Sequence, residues 1–180
     1  METERLILRP WTDEDAETLF LFASDKDVGP AAGWRPHGSV GESREIIKRI
    51  LAVGETYAIV PKNREIPVGS ISLMFAPDSD VAGSEKECEL GYWIGKPFWG
   101  QGLVPEAGRE MLRHAFEDLG MECVWGLYHD GNVKSKRVQE KLGLKYVRTV
   151  ENLDVPQLNE KRRAHVNRIT REEWENAKKN

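Results

Sequence analysis

The stretch Glu89-Leu90-Gly91-Tyr92-Trp93-Ile94 runs through Gly95-Lys96-Pro97-Phe98-Trp99 into Gly100-Gln101-Gly102 and passes directly into an amphipathic segment. The first six residues read as a strand. After the glycines, Val104, Ala107, Met111 and Ala115 continue with Leu112, Phe116 and Leu119 along one apolar face, which predicts a helix from about Leu103 to Leu119. Strand, glycine turn and helix N-terminus therefore meet at one point. Free amides and the positive end of the helix dipole favour an anion there, and glycines let the backbone approach a phosphate. A pyrophosphate suits such a site, although a lone Gly-x-Gly also serves as an ordinary tight turn. No Lys-Ser or Lys-Thr follows Gly102 as a P-loop requires, and Pro105 stands where a dinucleotide fingerprint needs a third glycine. Neither an ATPase nor a dehydrogenase is indicated.

Working outward, the elements alternate in type. Upstream, Arg5 to Arg9 alternates around Leu6 and Leu8 as a strand ending at Pro10, and Thr12 and Asp15 form a capping-box pattern for a helix toward Ala23. A Gly- and Pro-rich loop from Asp27 to Gly38 precedes a second amphipathic helix, Val40 to Val53. Tyr57 to Pro61, Val68 to Phe75 and Cys88 to Ile94 read as an antiparallel meander. Downstream come a strand from Glu122 to Tyr128, a helix from Val133 to Leu142 and a strand from Leu144 to Val150. A polar connection, Glu151 to Lys161, then leads to a last strand, Arg163 to Ile169, and Thr170 and Glu173 cap a terminal helix. The fold class is α+β: a mixed, mostly antiparallel central sheet flanked by helices on both faces.

The chain of 180 residues, 39% hydrophobic and 31% charged, has the size and composition of one folded domain, residues 1–180. Its acidic start lacks a basic, apolar leader, and no run approaches membrane-spanning length, so the expectation is a cytoplasmic protein with no membrane partner. A net charge of −4 with intermixed signs argues against nucleic acid. Cys88 and Cys123 fall in strands, and the four histidines show no zinc-ligand spacing, so two reduced thiols and no metal are expected.

The run Gly91-Tyr92-Trp93-Ile94, Trp99-Gly100-Gln101-Gly102, Glu106-Ala107, Asn132-Val133-Lys134-Ser135 and Lys141-Leu142-Gly143-Leu144 resembles the GNAT acetyltransferases. Specifically, it resembles their ribosomal-protein N-terminal acetyltransferase (RimJ/RimL-like) branch. The opening Thr3-Glu4-Arg5-Leu6-Ile7-Leu8-Arg9-Pro10 and the ending Thr170-Arg171-Glu172-Glu173-Trp174 resemble it too, so the likeness covers nearly the whole chain. It implies a GNAT-like fold and acetyl-CoA as co-substrate. The backbone at Trp93 and Ile94 would hold the pantetheine arm as an added strand, and Gly100, Gln101, Gly102, Leu103 and Val104 the pyrophosphate. Pro97 departs from the Gln or Arg usual three residues before the first glycine, which removes a side-chain contact and leaves the amides.

Acetyl transfer to an amine needs a base for the ammonium and a donor for the departing thiolate. An α-amino group with pKa about 8 loses its proton at neutral pH for about 1 kcal/mol, a lysine near 10.4 for about 4 to 5 kcal/mol. Glu89 is the leading base, with a solvated strand-end carboxylate as the alternative reading, and His129 is a second candidate. Many relatives place a tyrosine seven residues after the motif asparagine; here that residue is Gln139. The branch has a serine three residues after it, which makes Ser135 the implied sulfur partner, at a helix start whose dipole favours negative charge. Asn132 is both a natural N-cap and a candidate CoA-arm ligand. Glu106 suits the helix dipole and Gly143 a helix C-cap. Trp34, Arg35 and His37 lie in a loop that resembles an acceptor-side lid. The expected function is acetyl transfer to a primary amine in a ternary complex, the acceptor being a peptide N-terminus, amino acid, polyamine or aminoglycoside. The alternative is a non-catalytic acyl-CoA sensor or interaction domain. A homodimer is compatible with the resemblance.

Overall fold

The computed structural model describes residues 1–179. Strands β1 (Leu6–Arg9), β2 (Glu55–Pro61), β3 (Gly69–Met74), β4 (Glu87–Ile94), β5 (Cys123–His129), β6 (Lys145–Val155) and β7 (Glu160–Thr170) form one sheet in the order β1-β2-β3-β4-β5-β7-β6. Every neighbouring pair is antiparallel except β4–β5. The period-2 patterning sends alternate side chains to opposite faces. In β2, Ala58 and Val60 join Trp11, Leu19 and Ile47 under helices α1 (Ala16–Ala23) and α3 (Val40–Ile46). Ile59 joins the larger core under α4 (Leu103–Arg113) with Met111, Leu112 and Phe116. The expected mixed sheet with helices on both faces is what the chain adopts. Both cysteines are free and buried.

Three local expectations change. The Asp27–Gly38 loop contains a helical turn, α2 (Gly29–Ala32), since Pro30 fits the first turn of a helix and Gly33 ends it at φ +92°. The polar connection Glu151–Lys161 is mostly strand: β6 and β7 pair as far as Val155↔Glu160 around the turn Pro156–Leu158. Here β6 is an edge strand, largely exposed, so it shows no apolar alternation, and backbone pairing with β7 extends it through the polar segment. Third, α3 and α4 widen into π turns at Ile47–Leu51 and His114–Asp118. The capping boxes at Thr12 and Thr170 form as expected, the latter opening α6 (Arg171–Lys178).

The feature that makes a site is the parting of β4 from β5. They pair in parallel at Glu87↔Cys123, Cys88↔Val124 and Glu89↔Trp125, and at no residue beyond. Freed backbone groups need partners. On β5 the carbonyl of Leu127 receives the Gln139 amide at 3.1 Å, from helix α5 (Val133–Lys141). On β4 the edge from Leu90 to Ile94 has no strand neighbour on that side among the described residues.

Candidate active site

A cavity of about 680 Å³ fills this wedge between the diverging strands. Its walls include Glu89, Trp93, Ile94, Gly100, Gly102, Leu103, Val104, Asn132 and Ser135, nine of the ten residues given a leading catalytic or cofactor-binding role from the sequence. Gln101 is the tenth and faces elsewhere. Its side chain donates to the carbonyl of Pro97 at 2.8 Å, its own carbonyl accepts from Arg5 at 3.1 Å, and it lines a separate shallow cleft with Arg5 and Arg64.

At the helix end of the cavity, Gly100 and Gly102 have φ of +77° and +76°. A Cβ would meet nothing within 4 Å at Gly100 and only the Arg5 guanidinium, at 3.6 Å, at Gly102, so the left-handed backbone itself demands glycine here. Gly102 caps α4, whose first backbone bond runs from the Glu106 amide to the Gly102 carbonyl, and the preceding amides have no partner within the helix. The loop is pinned by Glu106. Its carboxylate accepts from Thr3 Oγ1 (2.5 Å), the Arg5 amide (2.8 Å) and Arg5 Nε (2.6 Å). Burial alone would raise its pKa, but these donors hold it below the usual carboxylate range. The role of Glu106 is thus to tie the N-terminal Thr3-Glu4-Arg5 segment to the loop, beyond any effect on the dipole.

Sequence reading passed over a basic stripe. Lys134, Arg137 and Lys141 on α5 all line the cavity, at the i, i+3, i+7 spacing that puts side chains on one helix face. Lys134 Nζ sits 3.7 Å from the Trp99 ring centroid. The spacing was the signal available.

Glu89 is buried at the point where the strands part. Its Oε2 accepts from Ser79 Oγ at 2.8 Å and from the Asp80 amide at 3.1 Å. Ser79 Oγ itself accepts from the amides of Val81 (3.1 Å) and Ala82 (2.9 Å), so its one proton is committed to Glu89. Burial, helped by the charge of Asp80, raises the Glu89 pKa more than these two donors lower it. The solvated strand-end reading does not hold for this residue. His129 also lines the cavity; burial and Arg162 lower its pKa, and its Nδ1 is buried without a hydrogen-bond partner among the described residues. Both candidate bases thus face one space.

On the opposite bank, Asn132 Oδ1 accepts from the Ser135 amide at 3.1 Å, the expected N-cap, while its Nδ2 reaches the Ala31 carbonyl of α2 at 3.1 Å. Ser135 Oγ lies 2.8 Å from the hydroxyl of Tyr92, a cavity residue of β4 that no local pattern marks as functional. Of the lid residues only Trp34 reaches the cavity, edge-on to Trp93 with centroids 5.8 Å apart. His37 is buried against Ser43 at 2.8 Å, and Arg35 is exposed beside Glu42. Trp93 stacks on Trp11 from the other side. The Ile94 carbonyl accepts from Trp99 Nε1 at 2.9 Å, so this end of the open edge is already occupied. Gly143 ends α5 at φ +82°, the expected C-cap.

Residues 5–145 match the family described as acetyltransferase (GNAT) domain. The uncharacterized N-acetyltransferase YoaA of Bacillus subtilis is 26% identical over 148 residues, 79% of this chain and 81% of that protein. A GNAT-family acetyltransferase from Bacillus anthracis shares the fold with a TM-score of 0.82 at 20% identity, over 96% of this chain and 98% of the other. The ribosomal-protein-S5-alanine acetyltransferase of Vibrio fischeri superposes with a TM-score of 0.71 at 18% identity, over 97% of each chain.

Proposed function

The chain belongs to the GNAT acetyltransferase family and is an N-acetyltransferase; from that premise we propose that it sits in the RimJ/RimL-like branch and moves an acetyl group from acetyl-CoA to a primary amine by direct attack in a ternary complex. One observation carries the reading: Glu89, Ser135 and the glycine loop all border the single wedge opened by β4 and β5. The fit to acetyl-CoA is chemical. An unpaired strand edge suits the amides of a pantetheine arm, left-handed glycines before a helix suit a pyrophosphate, and the cationic stripe Lys134, Arg137, Lys141 suits further phosphate. When bound, the thioester supplies an activated acyl carbon.

The chain's own residues then divide the work. Glu89 takes the proton of the amine, directly or through one water. Its second oxygen, Oε1, serves, since Oε2 is held by Ser79 and Asp80. Burial raises its proton affinity toward the working pH, which improves a base. Ser135 donates to the departing sulfur at the N-terminus of α5. Trp34 and Trp93 wall the acceptor side and limit water. Two free buried cysteines support a reducing compartment, the cytoplasm.

A thiol-release assay with acetyl-CoA, against peptide N-termini, free amino acids, polyamines and aminoglycosides, tests this on the wild type, Glu89→Gln and Ser135→Ala. The expected result is amine-dependent release that falls in both variants while CoA affinity holds. Binding of CoA without release for any amine would favour a sensor, and absence of CoA binding would overturn the reading of the glycine loop.

A further inference from the structure

Two hydroxyls meet across the wedge. The Tyr92 hydroxyl, from β4, lies 2.8 Å from Ser135 Oγ and 3.2 Å from the Ser135 backbone carbonyl, on α5. Each hydroxyl carries one proton, so two arrangements compete. In one, tyrosine donates to the carbonyl and serine spends its proton on the phenol. In the other, tyrosine donates to Ser135 Oγ and the serine proton turns into the cavity that both residues line. Negative charge in the cavity selects the second, because only it presents a donor. A hydroxyl that accepts a hydrogen bond also donates a stronger one.

The helix that carries Ser135 is fixed against the sheet beside this pair. Gln139 is fully buried, its carboxamide oxygen accepting from Asn167 at 2.9 Å and its nitrogen donating to the Leu127 carbonyl at 3.1 Å. Burial pushes the phenol pKa up to about 12, so the donor stays protonated throughout the working range.

We propose that Tyr92 is a positioning residue for thiolate departure: it donates to Ser135 Oγ and so aims the serine O–H at the leaving sulfur. This rests on the reading of Ser135 as the sulfur's partner. In the step, the C–S bonding pair stays on sulfur and the new C–N bond forms. The amine proton passes to Glu89, and neither hydroxyl loses its proton; Ser135 contributes one O–H to sulfur hydrogen bond.

The test is a double-mutant cycle on the full chain, with kcat and KM measured for Tyr92→Phe, Ser135→Ala and the pair, each normalised to the fraction that binds CoA. Tyr92→Phe should lower kcat about tenfold, a typical loss for one hydrogen bond that assists a charged group, with KM for acetyl-CoA within about twofold. Added to Ser135→Ala it should cost nothing further, because its effect runs through the serine. Equal losses from Tyr92→Phe in both backgrounds, or a change confined to KM, would overturn the proposal. A slow Ser135→Ala beside a wild-type Tyr92→Phe would sink the tyrosine role alone; a wild-type Ser135→Ala would sink the serine reading and the proposal with it. Normalising to bound CoA keeps the comparison valid if a variant folds poorly.

Discussion

Two glutamates lie at opposite ends of the functional region, and their surroundings treat the same carboxyl group in opposite ways. Glu106, in the first turn of α4, is met by a cation and two further donors and is held below its ordinary pKa. Glu89, where β4 leaves β5, is met by a hydroxyl and one amide in a buried place and is held above it. The difference separates a carboxylate paired with a cation from one buried with neutral donors. A carboxylate given a guanidinium is stable in one charge state and serves to hold things together. One that is buried with neutral donors remains ready to take a proton.

The largest break in this comparison comes from Glu89→Gln, which should reduce turnover about 10²-fold or more, the usual contribution of a positioned base. The wild-type pH–rate profile should fall as pH drops through a value above the ordinary glutamate range, and the variant should lose that dependence. Steady-state rates across pH check both.

Glu106→Ala acts on the other side. With three donors left unmatched, it should destabilise the fold by about 1–3 kcal/mol, and should raise KM for acetyl-CoA severalfold while kcat changes little. Because the folded pKa of Glu106 is lowered, its stabilising contribution is complete above the ordinary carboxylate pKa and fades as pH falls through the lower folded value. Thermal melts of wild type and variant should therefore converge in acid.

Arg137→Ala should raise KM for acetyl-CoA about threefold, as loss of one partly screened phosphate contact would, and should flatten its dependence on ionic strength. An unchanged salt dependence would remove the basic stripe from the CoA reading.

The smallest effect sharpens the contrast most. Glu89→Gln should raise the melting temperature at pH 8 by about 2 °C, the shift expected of somewhat under 1 kcal/mol in a domain this size. The folded pKa of Glu89 is raised, so its protonated form is the one that suits the fold. Stability is full below the unfolded pKa and declines as pH rises through the folded one. The gain of the variant should vanish on acidification, opposite to the trend at Glu106.

Much of the site was legible because local chemistry dictates it. Left-handed backbone at Gly100 and Gly102, the Asn132 cap and the capping boxes at Thr12 and Thr170 each need a particular residue at a particular place, so the residue announces the structure. What stayed hidden depended on distant partners. Ser79 reaches Glu89 from a loop ten residues away. Tyr92 and Ser135 are 43 residues apart, and Thr3 and Glu106 are 103 apart. The continuation of β6 from Glu151 to Val155 was not legible for a related reason: backbone pairing, which any sequence supplies, extends the strand there.

The sequence by itself determined the strand, glycine loop and helix, the order of elements and the family, because periodicity, caps and positive φ are properties of neighbouring residues. Only the tertiary structure decided that β4 and β5 part after Glu89, that one carboxylate is held below its ordinary pKa and the other above it, and that a tyrosine faces the serine. Burial and charge pairing arise between segments far apart in the chain, and it is burial and pairing that set proton affinity.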